Sequence, residues 1–150
     1  MKFTQWSKRN PIKNCFVIPN ELFSLGLEAG EIAVYSYLLR CENRKTHQCW
    51  PSYQTIGSAV GMSKKTVQKY VAMLEDKRLI TTEPTLVRRQ NGRKQNGNLL
   101  YTVHPIHEAQ EHFHARQMAE LERATAIHNA KAKAEKMGIQ FIPANDEQSA

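Results

Sequence analysis

Ser63, Lys64, Lys65 and Thr66, followed by Gln68 and Lys69, are the residues of this chain best suited to chemistry, and the chemistry is recognition rather than bond-making. Lysine ammonium groups meet phosphate oxygens or guanine edges, glutamine can hold adenine through two hydrogen bonds, and hydroxyls serve either purpose. At about 100° per residue along a helix, Lys65, Gln68, Lys69 and Ala72 share one arc, with Lys64 and Thr66 on its flanks. Val67, Tyr70, Val71 and Leu74 occupy the opposite side. No acid occurs between Glu42 and Glu75, so the polar arc is cationic with one amide reader. A solvated face on an ordinary amphipathic helix would look the same on the wheel, so the surrounding elements must decide.

Those elements read as two short helices joined by a tight turn. Ser52 and Ser63 stand where helix N-caps belong, each followed three residues on by a threonine, Thr55 or Thr66. Gly61 falls between the helices, where a turn calls for positive φ. Gly57 is small where crossing helices would press together, and Ile56, Val60, Val67, Val71 and Leu74 keep the 3.6-residue period of a shared core. The pattern is a helix-turn-helix, with 63–78 as the recognition helix that enters a major groove. Lys65, Gln68 and Lys69 are expected to face bases. Ser63, Lys64 and Thr66 would hold phosphates at the helix start, where free N–H groups already favour anions. Ser52, Tyr53 and Gln54, opening the first helix, are candidates for backbone contacts.

Beyond the second helix, two apolar, β-rich runs (79–82 continuing to 86–89, and 98–103) flank a segment with two Asn-Gly pairs. That arrangement predicts a hairpin with a longer loop, the wing of a winged helix. The wing at 88–97 carries Arg88, Arg89, Arg93 and Lys94, with no acid between Glu83 and Glu108. Arginine on such a tip suits an electronegative minor groove or adjoining phosphates.

The overall charge of +7 is unevenly placed: residues 1–105 hold 16 Lys/Arg against 7 Asp/Glu, and 106–150 hold 5 against 7. A polyanionic partner is implied, and it belongs to the helix-turn-helix half. No apolar run reaches the roughly 18 residues of a membrane span and no signal-peptide pattern opens the chain, so a cytoplasmic protein with no membrane partner is expected. Cys15, Cys41 and Cys49 form no disulfide framework, and Cys41, His47 and Cys49 lack both a paired CxxC and a fourth ligand. His104, His107, His112, His114 and His128 show no helical ligand pair at i, i+4. Neither a metal nor a cofactor is expected. With no nucleophile–base pair, paired carboxylates or phosphate-cradling glycine loop in view, the sequence argues against an enzyme.

The rest supplies scaffold. Residues 1–14 read as a basic arm (Lys2, Lys8, Arg9, Lys13) that either follows DNA or is a loose terminus, Phe16-Val17-Ile18 predicts a short strand, and Pro19 to Phe23 a brief helix stopped at Gly26. A helix over 28–41 is expected to point Ile32, Tyr35, Leu38 and Leu39 inward. The 42–51 loop carries Trp50, expected to plug the core against the first two helices. The run Cys49-Trp50-Pro51-Ser52, with Thr55-Ile56-Gly57, Val60-Gly61-Met62-Ser63, Thr66-Val67 and Leu79-Ile80, resembles a family of winged helix-turn-helix proteins. Its members occur on plasmids, phages and conjugative elements of Gram-positive bacteria and include amino-terminal domains of replication initiators and small regulators. The resemblance covers about 15–104 and implies a three-helix core, a hairpin wing, DNA binding through the helix starting at Ser63, and no catalytic centre. An initiator would continue into a sizeable second domain; here an alanine-rich helix follows.

That helix, 105–138, has an apolar stripe of Ile106, Ala109, Phe113, Ala124 and Ile127, too thin for a coiled coil by itself. A homodimer is favoured, since one winged helix reads few base pairs; packing back on the domain or meeting another protein stay open. Residues 139–150 read as a disordered tail. The expected architecture is thus mainly α with a small β-hairpin: an arm (1–14), a winged helix-turn-helix (15–104) and a long carboxy-terminal helix. The expected function is sequence-specific binding of double-stranded DNA as a transcriptional regulator. The alternative is a replication-initiation or partition accessory that docks replication or transcription proteins.

Overall fold

The computed structural model describes residues 15–143; the basic arm expected at 1–14 and the end of the tail, 144–150, lie outside them. Pro19 leads into a 3-10 turn, Asn20–Ser24, that buries Leu22 and ends before Gly26. Helix α1 (Ala29–Cys41) follows, then strand β1 (Gln48–Cys49), helices α2 (Tyr53–Val60) and α3 (Lys64–Asp76), and strands β2 (Ile80–Glu83), β3 (Leu86–Arg88), β4 (Lys94–Asn96) and β5 (Leu100–Val103). Helix α4 (Ile106–Lys136) closes the sequence of elements. Three antiparallel strands in the order β1-β5-β2 form one sheet, and β3 with β4 a second. Three helices with this sheet and its extended hairpin make a winged helix-turn-helix fold.

The core is built by the elements up to Gln110. Leu22, Val34, Leu38, Ile56, Val67 and Leu74 are wholly buried, joined by Leu79, Ile80 and Tyr101 from the sheet side. Strand β5 shows why: its Tyr101 and Val103 point inward while Leu100 and Thr102 are half-buried, the alternation a sheet with one covered face demands. Ala109, in the first turn of α4, is also buried.

Five expectations are corrected. The inward stripe of α1 is Gly30, Glu31, Val34, Tyr35 and Leu38, with Ile32 and Leu39 only half-buried. An apolar-only wheel rotates the helix wrongly because it leaves out Glu31, which is 0% exposed. The Glu31 carboxylate is held from two directions: its Oε2 accepts the Glu28 N–H at 2.7 Å, as part of a capping box, and meets Lys77 Nζ at 2.8 Å. Residues Phe16-Val17-Ile18 form no strand; Phe16 and Val17 are exposed and no ladder receives them. Apolar composition alone does not create a pairing edge.

Trp50 is not a core plug. It is 64% exposed, because β1 turns Cys49 inward and the next residue outward. Its carbonyl accepts the Asn98 side-chain amide at 3.2 Å. Strand β1 itself was hidden inside the expected loop; it pairs Gln48 with Thr102 and Cys49 with Tyr101. Finally, only one Asn-Gly pair turns the wing. Gly92 N–H donates to Arg89 O at 2.9 Å and Arg89 N–H to Arg93 O at 3.0 Å, whereas Gly97 N–H donates to Thr85 O at 2.8 Å beside the break between β4 and β5. A Cβ on Gly97 would lie 2.5 Å from Thr85 Oγ1 and 2.7 Å from Val87 Cγ2, so this glycine permits close approach.

The α2–α3 corner follows the sequence. Ser52 Oγ accepts Thr55 N–H at 3.0 Å and Ser63 Oγ accepts Thr66 N–H at 3.2 Å, each cap being worth about 1 kcal/mol. Gly61 ends α2 at φ 73°, ψ 36°, a conformation that strains residues carrying a Cβ. At Gly57 an added Cβ would stand 2.4 Å from the Met62 carbonyl oxygen. Helix α4 ends in a Schellman arrangement: Gly138 N–H donates to Glu135 O at 3.1 Å and Ile139 N–H to Ala134 O at 3.0 Å. None of the helices among the described residues is long and apolar enough to cross a membrane.

Two outcomes follow for stability in urea. Gly57→Ala is expected to cost about 2 kcal/mol, although alanine would raise intrinsic helix propensity by about 1 kcal/mol; a neutral or stabilising result would contradict the close approach. Lys77→Met should cost about 2–3 kcal/mol by stranding the Glu31 carboxylate, and adding Glu31→Leu should recover much of it. Additive losses in that double variant would show that the pair is not coupled.

Candidate nucleic-acid interface

The caps and the turn set the azimuth of α3, and burial of Val67, Val71 and Leu74 turns its opposite arc outward. Lys64, Lys65, Gln68, Lys69 and Ala72 are exposed and Thr66 is half-buried. Ser63, Lys65, Thr66, Gln68, Lys69 and Ala72 together line a shallow, open hollow of about 600 Å³. The hollow therefore gathers five of the six residues expected on this helix, and it contains no acid. Lys69 leans back, with its Nζ 5.2 Å from the centre of the Tyr70 ring, an attraction of about 0.5–1 kcal/mol at an exposed position.

Lys64 belongs to a second concavity of about 250 Å³, which it lines with Pro51, Ser52, Tyr53, Gln54, Gly97, Asn98, Leu99 and Tyr101. This hollow joins the amino-terminal turn of α2 to the base of the wing. Burial, and then the Glu75 carboxylate, raise the Tyr53 hydroxyl above its usual range, so it is a neutral hydrogen-bonding group at physiological pH. Burial raises Tyr101 further, with Tyr53 and Cys49 adding to it. Asn98 and Leu99 were not among the expected site residues. Asn98 is exposed and tethers the wing base to Trp50; the only sequence signal for it was its place after the second Asn-Gly pair.

The wing residues are brought together separately from these two hollows. Arg88 pairs in register with Lys94 across β3 and β4, and Arg89 and Arg93 close the turn by a backbone hydrogen bond. All four are exposed. Glu75, the first acid after the cationic stretch, is occupied: its Oε1 accepts Thr82 N–H at 3.0 Å and Thr82 Oγ at 2.8 Å. The same bonds tie the end of α3 to β2, the strand that leads into the wing. Among the described residues no group of three or more His, Cys, Asp or Glu could hold a metal.

Residues 25–80 match the family model described as "Helix-turn-helix domain". No curated protein matches the chain. Among solved structures, the chain is similar to a possible transcriptional regulator from Methanosarcina mazei (14% identity, TM-score 0.48, covering 72% of this chain and 82% of that one). It is also similar to a MarR protein of Staphylococcus aureus solved with salicylate and kanamycin (19% identity, TM-score 0.39, covering 85% and 68%). A third likeness is to a probable transcriptional regulator from Pseudomonas aeruginosa (20% identity, TM-score 0.35, covering 72% and 78%). The family match runs from before α1 to the first residue of β2, the portion that carries the helix-turn-helix.

Proposed function

We propose that this protein binds double-stranded DNA sequence-specifically and regulates transcription, without catalysis. One observation carries the reading: the outward arc of α3 is an acid-free hollow of lysine, glutamine and hydroxyl groups, on a helix whose start is capped and whose other side is core. In this reading α3 enters the major groove with Lys65, Gln68 and Lys69 toward bases. Ser63, Lys64 and Thr66 hold phosphates, as do Ser52, Tyr53 and Gln54 across the second hollow. Arg88, Arg89, Arg93 and Lys94 follow the minor groove or its phosphates. Residues 15–104 would be the reading domain and 105–138 the helix that makes a homodimer, doubling the bases read. The setting would be a mobile element of a Gram-positive bacterium.

A second reading, protein docking in replication or partition, is favoured by one feature: Leu86 and Val87 on the wing are 68% and 54% exposed. A gel shift with short random duplex at low salt separates the two. A DNA reader binds weakly without its operator, whereas a docking module leaves the duplex unshifted.

With duplexes selected from random sequence, Gln68→Ala is expected to relax preference at one base position by about 1–3 kcal/mol while leaving general affinity nearly intact. Lys64→Ala and Arg93→Ala should weaken every duplex alike and lower the salt slope by about one each. Titrations at several salt concentrations measure this; indistinguishable behaviour of the three variants would reject the division of roles. For the assembly, the full chain is expected to sediment at about twice its 17.2 kDa, and Leu121→Asp, at an exposed apolar position of α4, to shift it toward monomer. Monomer at every concentration would refute the dimer.

A further inference from the structure

Two thiols outside the proposed interface share one place. Cys41, the last residue of α1, and Cys49, the last of β1, line the same open hollow of about 470 Å³ with Asn43, Gln48, Trp50 and Pro51. The loop between them folds back on itself: Asn43 N–H donates to Gln48 O at 3.0 Å and His47 N–H to Asn43 O at 2.7 Å. Cys49 Sγ lies 3.8 Å from Leu38 O, the carbonyl that also accepts Glu42 N–H at 2.9 Å. One thiol is thus set against the final turn of the helix that carries the other. Burial, and then the proximity of Cys41 and Glu42, push the Cys49 thiol up to about 12. The Tyr37 hydroxyl is raised chiefly by a hydrogen bond with Cys41, with a smaller contribution from Cys49. All three cysteines are free, and Cys15 is exposed.

We infer that Cys41 and Cys49 are a redox-active thiol pair, a modification site for small peroxides that closes reversibly into an intrachain disulfide across the α1–β1 loop. The two members have different tasks. Cys41 is half-buried and lines the open hollow, so it is the member that meets the oxidant. Its sulfur attacks one peroxide oxygen, the O–O bond breaks, and the departing hydroxide takes a proton to become water, leaving Cys41 as a sulfenic acid. Cys49 is 5% exposed and resolves it. Its sulfur bonds to the Cys41 sulfur, the sulfenic oxygen leaves, and the Cys49 proton completes a second water. Two thiols are oxidised, one hydrogen peroxide is reduced, and the balance is a disulfide and two waters. A dithiol returns the pair to its starting state by exchange.

The test is thiol mapping on the full chain. Protein treated with hydrogen peroxide, quenched with catalase, unfolded in guanidinium chloride and alkylated with iodoacetamide is expected to carry one label, on Cys15, in place of three. Mass spectrometry should find the Cys41 and Cys49 peptides joined, and dithiothreitol should restore all three labels. The Cys15→Ser variant is expected to lose both remaining labels in the same way. Cys49→Ser should leave Cys41 as a sulfenic acid that dimedone captures. Full labelling of both residues after peroxide, or bridges that involve Cys15 or join two chains, would overturn the assignment.

Discussion

The carboxylate of Glu31, with no exposed surface, is held by Lys77 from the far end of α3 and by the first turn of its own helix. Desolvating such a group is expensive, and the pair repays the cost only while both partners keep their geometry. Its use here is therefore alignment. The start of α1 must lie against the end of α3, since any slide would leave a charge in the core. Gly30 applies the same constraint sterically, because the Tyr70 ring occupies the space a Cβ would need. Between them, these two adjacent positions fix how the scaffold helix crosses the helix with the cationic face.

That crossing decides what faces outward. With Val67, Val71 and Leu74 committed to the core, the α3 hollow has one available azimuth. The corner at Gly57 and Gly61 fixes where the helix begins, and the Glu75 bonds to Thr82 fix where the wing departs. Helix, α2 start and wing base are thereby held as one surface, a pre-organisation that the proposed recognition of DNA would draw on. The cations at the wing tip stand on a separate two-stranded extension beyond the break at Gly97.

Much of this was legible in the residues. Ser52, Ser63 and Gly61 announce the corner because caps and a left-handed turn depend on local hydrogen bonding and backbone sterics, which are written in short strings. The acid-free arc of α3 was equally readable, since helical period and charge are local quantities. What escaped were features whose cause lies far along the chain. Glu31 was left out of the α1 stripe because its partner is 46 residues away. Strand β1 was invisible in two residues until β5 supplied a ladder, and with it the outward turn of Trp50. The Phe16 run failed for the reverse reason: apolar residues without a partner strand.

Composition and spacing by themselves determined the helix-turn-helix, the hairpin, the long alanine-rich helix and which face of α3 is cationic, because each follows from interactions within a few residues. Only tertiary structure decided that a charge belongs in the core, that the second Asn-Gly is a crowded break instead of a turn, and that Lys64 meets the wing base across a shared hollow. Those outcomes depend on which distant groups neutralise, pair with or crowd one another, and no local pattern encodes that.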